Sequence, residues 1–325
     1  MSSIFEKINS KNFNINNGVV YIDSKAVGLV LPSALEGFKG DKLLVSGSKG
    51  VVLINDKDSE LNIVNALIES GSIIFESSNE IVNQTYNNLV DPLFSRTSSY
   101  LLGCVKNCDE FLISMDKIVN SSVVIIGCGG IGSLTALTLI GAGLRNITLI
   151  DDDKIEESNL NRQLLWTRSD IGQYKVNILF QVIKDRFPNV NCELIIKKIH
   201  DADIMDLCNK KDLIILTADE PLGIGNEGID SIDAKSRPKV ISCGYTHSIL
   251  TVNYNNQSNE TFTKKDTFWR RNPYFIGPSF GPSNIELAGV ISSLAIHEIA
   301  FNKLHKTDYI SFWDSKVFPR EFMNE

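Results

Sequence analysis

No C-x-x-C pair occurs among the six cysteines (104, 108, 128, 192, 208 and 243), and they follow no regular framework. No secretory signal occupies Met1–Ser10, so a reducing, cytosolic setting with free thiols is expected. No continuous apolar run is long enough to span a bilayer. Leu134–Leu144 carries Gly141 and Gly143 and is too short, which predicts a buried helix and no membrane partner. An excess of basic residues is also lacking: Lys and Arg number 32 against 39 Asp and Glu, a net charge of −7. That balance argues against a general nucleic-acid binder, whose affinity comes from a basic face. No G-x-x-x-x-G-K-[ST] occurs either, so any ATP is not held by a Walker-type loop.

What remains is ordinary globular composition, 43% hydrophobic and 22% charged, with length for one large domain or two smaller ones. Residues 18–23 and 28–32 read as one hairpin and 42–55 as another, with "SGSKG" as its turn. Asp58 to Glu69 places Leu61, Val64, Leu67 and Ile68 at helical spacing, and Gly71 ends that helix. "SIIFES" is a further strand candidate, and 77–88 reads as a polar linker. The expected division is therefore a small module over 1–85 and a larger domain over 86–325. The module is expected to be an α+β unit of the winged-helix type, and it holds no catalytic constellation.

From Leu89 the pattern turns to long helices, then to strands alternating with helices. Strands are expected at 122–127, 146–151, 192–199, 212–218 and 239–245. Helices are expected at 131–143, from Lys175 to before Pro188, at 201–209, after 218, and at 284–304. This alternation predicts an α/β fold, a Rossmann-like doubly wound parallel sheet covered on both faces. The Asn/Thr-rich stretch 253–273 interrupts it.

The segment that carries chemistry runs from Val123 to Gln163. Gly127-Cys128-Gly129-Gly130-Ile131-Gly132 fits G-x-G-x-x-G between an apolar strand and an apolar helix. Gly127, Gly129, Gly130 and Gly132 let backbone approach phosphates, and the free amides of a helix start favour an anion. The next strand ends in Asp151, Asp152 and Asp153, and Asn159, Arg162, Gln163 and Lys175 follow. One acid at that place would hold a ribose. A dehydrogenase has no use for the rest of the set, whereas Arg and Lys neutralise phosphate oxygens and an acid further on can carry Mg2+.

Taken in order, "GCGGIGS", "LIDDDKIEESNLNRQ", "DIGQYK" and "TAD", with "PSFGPSNIELAG" at 278–289, resemble the E1-like adenylating enzymes of the ThiF, MoeB and HesA type. The resemblance implies attack of a carboxylate on the α-phosphate of MgATP. It places Gly129, Gly130 and Gly132 against the phosphates, Asp151 on the ribose hydroxyls and Asp153 beside it. Asn159, Arg162, Gln163 and Lys175 would meet the triphosphate, and Asp219 would carry magnesium. It also implies a homodimer in which Arg96, in "LFSRTSSYLLG", completes the partner's site. Arg96, Arg162, Lys175 and Asp219 are the catalytic candidates.

Two features depart from the common pattern. The paired C-x-x-C motifs of a structural zinc are missing, so no zinc is expected. Cys104 and Cys108, spaced for one helical face, read as a buried helical pair. Cys243 reads as a buried structural cysteine and His247 as a loop histidine, with no role assigned to either. The presence of a module before the Arg96 segment, together with the "ADEP" and "CGYTHSI" stretches, resembles a narrower branch, which modifies ribosomally made precursor peptides in antibiotic biosynthesis. There the 1–85 module would bind the precursor's leader as an added strand. Activation of a Glu side chain with cyclisation, as in the pantocin A system, is the preferred outcome. Activation of a peptide C-terminus, as in the microcin C system, and activation of a ubiquitin-like sulfur carrier are the alternatives.

Overall fold

A computed structural model describes residues 3–8, 13–54, 59–200, 203, 211–218, 239–254, 271–302 and 309–313. The chain divides into two compact units, Met1–Lys117 and Ile118–Glu325.

The first unit opens with α1 (Ile4–Lys7) and six strands: β1 (Phe13–Asn16), β2 (Val19–Ile22), β3 (Lys25–Val30), β4 (Leu35–Lys39), β5 (Lys42–Gly47) and β6 (Gly50–Ile54). Then come α2 (Glu60–Glu69), β7 (Ile73–Phe75), α3 (Asn79–Val90) and α4 (Ser95–Leu102), while α5 (Cys108–Asn120) crosses the division. Strands form two antiparallel sheets, β1-β2-β3-β7 and β4-β5-β6. The two expected hairpins are β2–β3 and β5–β6; β1 and β4, unmarked in the sequence reading, widen each into a sheet. Ser59 caps α2 by accepting the Asn62 N–H, and Ile63, Ala66 and Leu67 enter a core with Val20, Leu43, Val45 and Ile54.

Two sequence readings fail in this unit. The stretch 77–88 is not a linker: Ser78 accepts the Ile81 N–H and starts α3, which buries Val82 and Thr85. Its polar composition is that of a helix with one buried stripe, and a Ser cap is a stronger start signal than mean polarity. Cys104 and Cys108 also share no helix face. Gly103 ends α4 before Cys104, and Cys108 opens α5, so one thiol is exposed and the other buried.

The second unit is built on a seven-stranded sheet. Its elements are β8 (Ser122–Ile126), α6 (Gly132–Gly141), β9 (Asn146–Ile150), α7 (Lys175–Arg186), β10 (Asn191–Ile195), β11 (Leu213–Leu216), β12 (Val240–Thr246), β13 (Ile249–Tyr254), α8 (Gly281–Phe301) and β14 (Tyr309–Phe312). The order is β10-β9-β8-β11-β12-β13-β14. The first five strands are parallel, and β13 and β14 add antiparallel at one edge. Val123 to Ile126 and Leu213 to Leu216 are buried at every position, as expected of parallel strands covered on both faces. The chain runs from β8 outward to β10 and then returns to β11 on β8's other side. The ends of β8 and β11 therefore flank a topological switch point, where doubly wound sheets bind ligands.

The strands β13 and β14 were not foreseen. β13 begins inside the expected loop after 245, where the positive φ of His247 (56°) makes a tight turn. Among the described residues α8 alone is long and apolar enough to cross a membrane by length and composition. Here it packs on α6 and buries Leu287, Ile291 and Ala295. Its buried Glu298 pairs with Lys239 at 2.5 Å. Both features are those of a core helix. The expected helices at 201–209 and after 218, and most of the 253–273 stretch, lie outside the described residues.

Candidate functional site

The Gly-rich turn leaves β8 with Gly127 at φ 90°, a backbone state that suits glycine. A Cβ there would sit 2.5 Å from the Ala218 nitrogen, so the turn and the chain after β11 touch backbone to backbone. Thr217 tightens the same contact by donating its hydroxyl to the Gly127 carbonyl at 2.5 Å. A Cβ on Gly132 would overlap the Gly127 carbonyl oxygen and stand 2.6 Å from Thr217 Oγ1. At Gly129, by contrast, a Cβ would meet nothing closer than Gln163 Nε2 at 3.6 Å. The amides of Gly129, Gly130 and Ile131 have no acceptor among the described residues. They stand at the start of α6, where the helix dipole favours negative charge.

Asp151 leaves β9 directly beside this turn. Its Oδ2 accepts the Cys128 N–H at 2.6 Å and its Oδ1 the Asp153 N–H at 2.7 Å. Burial pushes its carboxyl above the ordinary 3.8, against the pull of Lys175 and of those two amides. A raised folded value means the native state holds the proton more tightly than the unfolded chain. This stability is full below the ordinary value and is lost as pH rises through the folded one. The nucleotide-free protein is therefore expected to lose melting temperature relative to Asp151→Asn as pH rises from below 3.8 toward neutrality. Parallel melting profiles for the two proteins would contradict that shift.

Lys175, the first residue of α7, is buried and pairs with Asp153 Oδ2 at 2.6 Å. A cation at a helix N-terminus opposes the dipole, and the ion pair with Asp153 offsets that cost. One carboxylate oxygen from each of Asp151, Asp152 and Asp153 lies within 4.8 Å of the others. Two of these acids already serve amides and Lys175, which leaves a poor cation cage. The acid assigned to magnesium from sequence, Asp219, lies outside the described residues; it follows Thr217 and Ala218, which do touch the turn.

The loop 156–163 lies over the Gly-rich turn. Asn159 is buried, and its Oδ1 accepts the Glu156 N–H at 3.1 Å, so here it shapes the loop. Arg162 folds its guanidinium onto the Ser158 carbonyl at 2.5 Å and Asn161 Oδ1 at 3.1 Å. Buried Gln163 accepts the Trp166 indole N–H at 2.7 Å. The indole can only donate, so Gln163 Oε1 is fixed as the acceptor and Nε2 faces Gly129. The structure thus brings together Gly127, Gly129, Gly130, Gly132, Asp151, Asp153, Asn159, Arg162, Gln163 and Lys175. Arg96 is exposed on α4 of the first unit.

Burial pushes the Cys243 thiol up to about 12, so thiolate is scarce at neutral pH, and its Sγ lies 3.8 Å from the Leu216 carbonyl. His247 is exposed in its turn. Two residues were missed by sequence reasoning, Thr217 and Asn284. Both lie in stretches that the sequence resemblance included, yet nothing in their spacing marked their side chains.

Residues 107–259 match the model of the ThiF family. This part of the chain carries a ThiF family domain. Among curated proteins it is similar to the sulfur carrier protein ThiS adenylyltransferase of Escherichia coli, at 33% identity over 107 residues. That alignment covers 33% of this chain and 43% of that protein. It is also similar to the adenylyltransferase and sulfurtransferase UBA4 of Scheffersomyces stipitis, 34% identical over 110 residues, covering 34% of this chain and 25% of UBA4. The matches thus span between a quarter and under half of these relatives. Among solved structures, E. coli MccB with AMPCPP and MccA superposes with a TM-score of 0.70 at 19% identity, over 91% of this chain and 96% of that one. PaaA gives a TM-score of 0.60 at 21% identity, over 89% and 98%. At these identities the likeness is one of fold, and it reaches well beyond the ThiF domain into the N-terminal unit. Most of the site lies inside the ThiF domain; Asn284 lies past its end.

Proposed function

We propose that this chain is an ATP-dependent adenylating enzyme acting on a carboxylate of a ribosomally made precursor peptide. The observation that carries the reading is the turn at Gly129 to Ile131. Its amides are unpaired among the described residues, and Gln163 and the Lys175–Asp153 pair stand beside it. That arrangement suits a polyphosphate, while Asp151, at the end of the neighbouring strand, suits a ribose.

In the proposed step a carboxylate oxygen of the peptide attacks the α-phosphorus of ATP. The bond from that phosphorus to the bridging oxygen breaks, and pyrophosphate leaves with the electron pair. The chain's part is placement and charge. The turn and Lys175 hold the phosphates, Arg162 swings from Ser158 onto the departing pyrophosphate, and Asp151 fixes the nucleoside. Mg2+ carried by Asp219 would neutralise part of the triphosphate charge. No side-chain nucleophile is needed, which agrees with the scarce thiolate at Cys243. We assign the leader of the peptide to the antiparallel sheets of the first unit. Support comes from the fold shared with MccB, which was solved with MccA. We further propose that two copies pair in the cytosol, so that Arg96 of one serves the site of the other.

A second reading is favoured by the curated relatives, which include a sulfur-carrier activator. Peptide-dependent ATP–pyrophosphate exchange separates the two. Exchange is expected with a peptide encoded beside this gene, and the Michaelis constant for that peptide should rise at least about tenfold when its leader is removed, a loss of about 1.4 kcal/mol. Exchange with a ubiquitin-like sulfur carrier and none with such peptides would establish the second reading instead.

A further inference from the structure

Asn284 lies in the first turn of α8 and is only 2% exposed; it falls within the 278–289 stretch of the resemblance, which gave its side chain no role. Its Nδ2 stands 3.4 Å from the Arg162 carbonyl and 3.2 Å from Ser279 Oγ; its Oδ1 is 3.4 Å from the same hydroxyl. A carbonyl can only accept, so the bond to Arg162 defines which end of the amide is nitrogen. The same Nδ2 occupies the place a side chain on Gly130 would need. A Cβ there would lie 2.5 Å from Nδ2 and 3.1 Å from the Arg162 carbonyl oxygen. Gly281, three residues earlier, also approaches this loop: its Cβ would lie 3.8 Å from Arg162 Cα and from the Asn161 carbonyl.

One buried amide therefore joins three separate segments: the Gly-rich turn, the loop bearing Arg162, and the start of α8. Among the described residues the Arg162 guanidinium bonds its own loop, at Ser158 and Asn161, and the contact from Asn284 is made to the Arg162 backbone. We propose that Asn284 is a positioning residue for the nucleotide, holding the Arg162 backbone at a fixed spacing from Gly130. The proposal rests on the reading that the Gly127–Gly132 turn binds ATP. It assigns Gly130 a second reason for its missing side chain, namely room for the Asn284 amide as well as for phosphate.

The test is a double-variant cycle on the full chain: Asn284→Ala, Gly130→Ala and both together. Nucleotide affinity is read by calorimetry, the Michaelis constants for ATP and peptide by pyrophosphate exchange, and folding by thermal melting. A misplacement of about 1 Å at a reacting site costs on the order of 100-fold. Asn284→Ala is therefore expected to weaken ATP by at least about tenfold while the peptide constant and the melting curve change little. Gly130→Ala should lose ATP affinity as well. In the double variant the methyl enters the space the amide has left, so the combined loss should be no greater than that of Gly130→Ala alone. Wild-type ATP affinity in a folded Asn284→Ala protein would overturn the proposal. So would losses that simply multiply in the double variant, or a peptide constant that rises in step with that for ATP. A wild-type chain that binds no ATP would overturn the nucleotide reading itself, a result distinct from all three.

Discussion

Gly132→Ala is expected to abolish AMP formation and lower the melting temperature together, while Gly129→Ala loses nucleotide affinity alone. The two glycines are three residues apart and face opposite demands. A Cβ at Gly132 would overlap the Gly127 carbonyl oxygen and crowd Thr217 Oγ1 at 2.6 Å. Neither can retreat, because Gly127 abuts the Ala218 backbone and Thr217 is bonded to the Gly127 and Ile126 carbonyls. Overpacking of this kind costs about 1–3 kcal/mol. In a unit of this size each kcal/mol lowers the melting temperature by about 2–4 °C. The turn would open, and its amides would no longer converge. At Gly129 a Cβ finds ordinary contact with Gln163 Nε2 at 3.6 Å, so the fold should tolerate it. The methyl would, however, stand over the amides assigned to phosphate. Loss of one or two charge-assisted hydrogen bonds, about 1.5–3 kcal/mol each, corresponds to at least about tenfold in affinity. Nucleotide titration and melting of both variants check this. A Gly132→Ala protein with wild-type affinity, or a Gly129→Ala protein that is destabilised and still binds ATP normally, would contradict the assignment of the two positions.

Asp219→Ala is expected to leave no measurable AMP or pyrophosphate formation in a protein that still folds. Asp219 follows a strand buried at all four positions, and Thr217 and Ala218 press directly on the Gly-rich turn. An acid delivered there can bring a cation to the phosphates without taking part in the core. Among the described carboxylates, Asp151 and Asp153 are already committed to amides and Lys175, so they offer no substitute. Asp219→Ala subunits also test the proposed pairing of copies. Mixed with Arg96→Ala subunits under exchanging conditions, they should recover part of the activity, because a hybrid pair holds one site with both residues present. Full AMP formation by Asp219→Ala alone would remove the acid from the mechanism. Absence of recovery in well-exchanged mixtures would remove Arg96 from the partner's site.

Part of the site was legible because its signals are local. The order strand, Gly-rich turn, helix, strand, acid needs only neighbouring residues to be recognised. Gly127, Gly129, Gly130, Gly132, Asp151 and Lys175 all lie at element ends, where a backbone requirement or an uncovered charge shows in the sequence. Asn159 and Gln163 were picked out, yet their side chains here bond Glu156 and Trp166 and shape the loop. No spacing rule foretells that division of labour, because the partner atoms are set by how the loop closes. α3 was missed for a related reason: Asn79 to Val90 is polar on average, and a single buried stripe carries it.

By itself the sequence determined the α/β alternation, the Gly-rich turn and the acids after β9. Periodicity, apolar runs and glycine requirements are properties of consecutive residues. Only the tertiary structure decided that Thr217 closes the turn, that Asn284 reaches Gly130 and Arg162 from more than a hundred residues away, and that β13 and β14 extend the sheet. Each of these is a contact between segments distant in sequence. Such a contact exists only once the parallel strands have stacked and the core has brought α8 against α6, because its geometry is set by packing and by no residue's own preference.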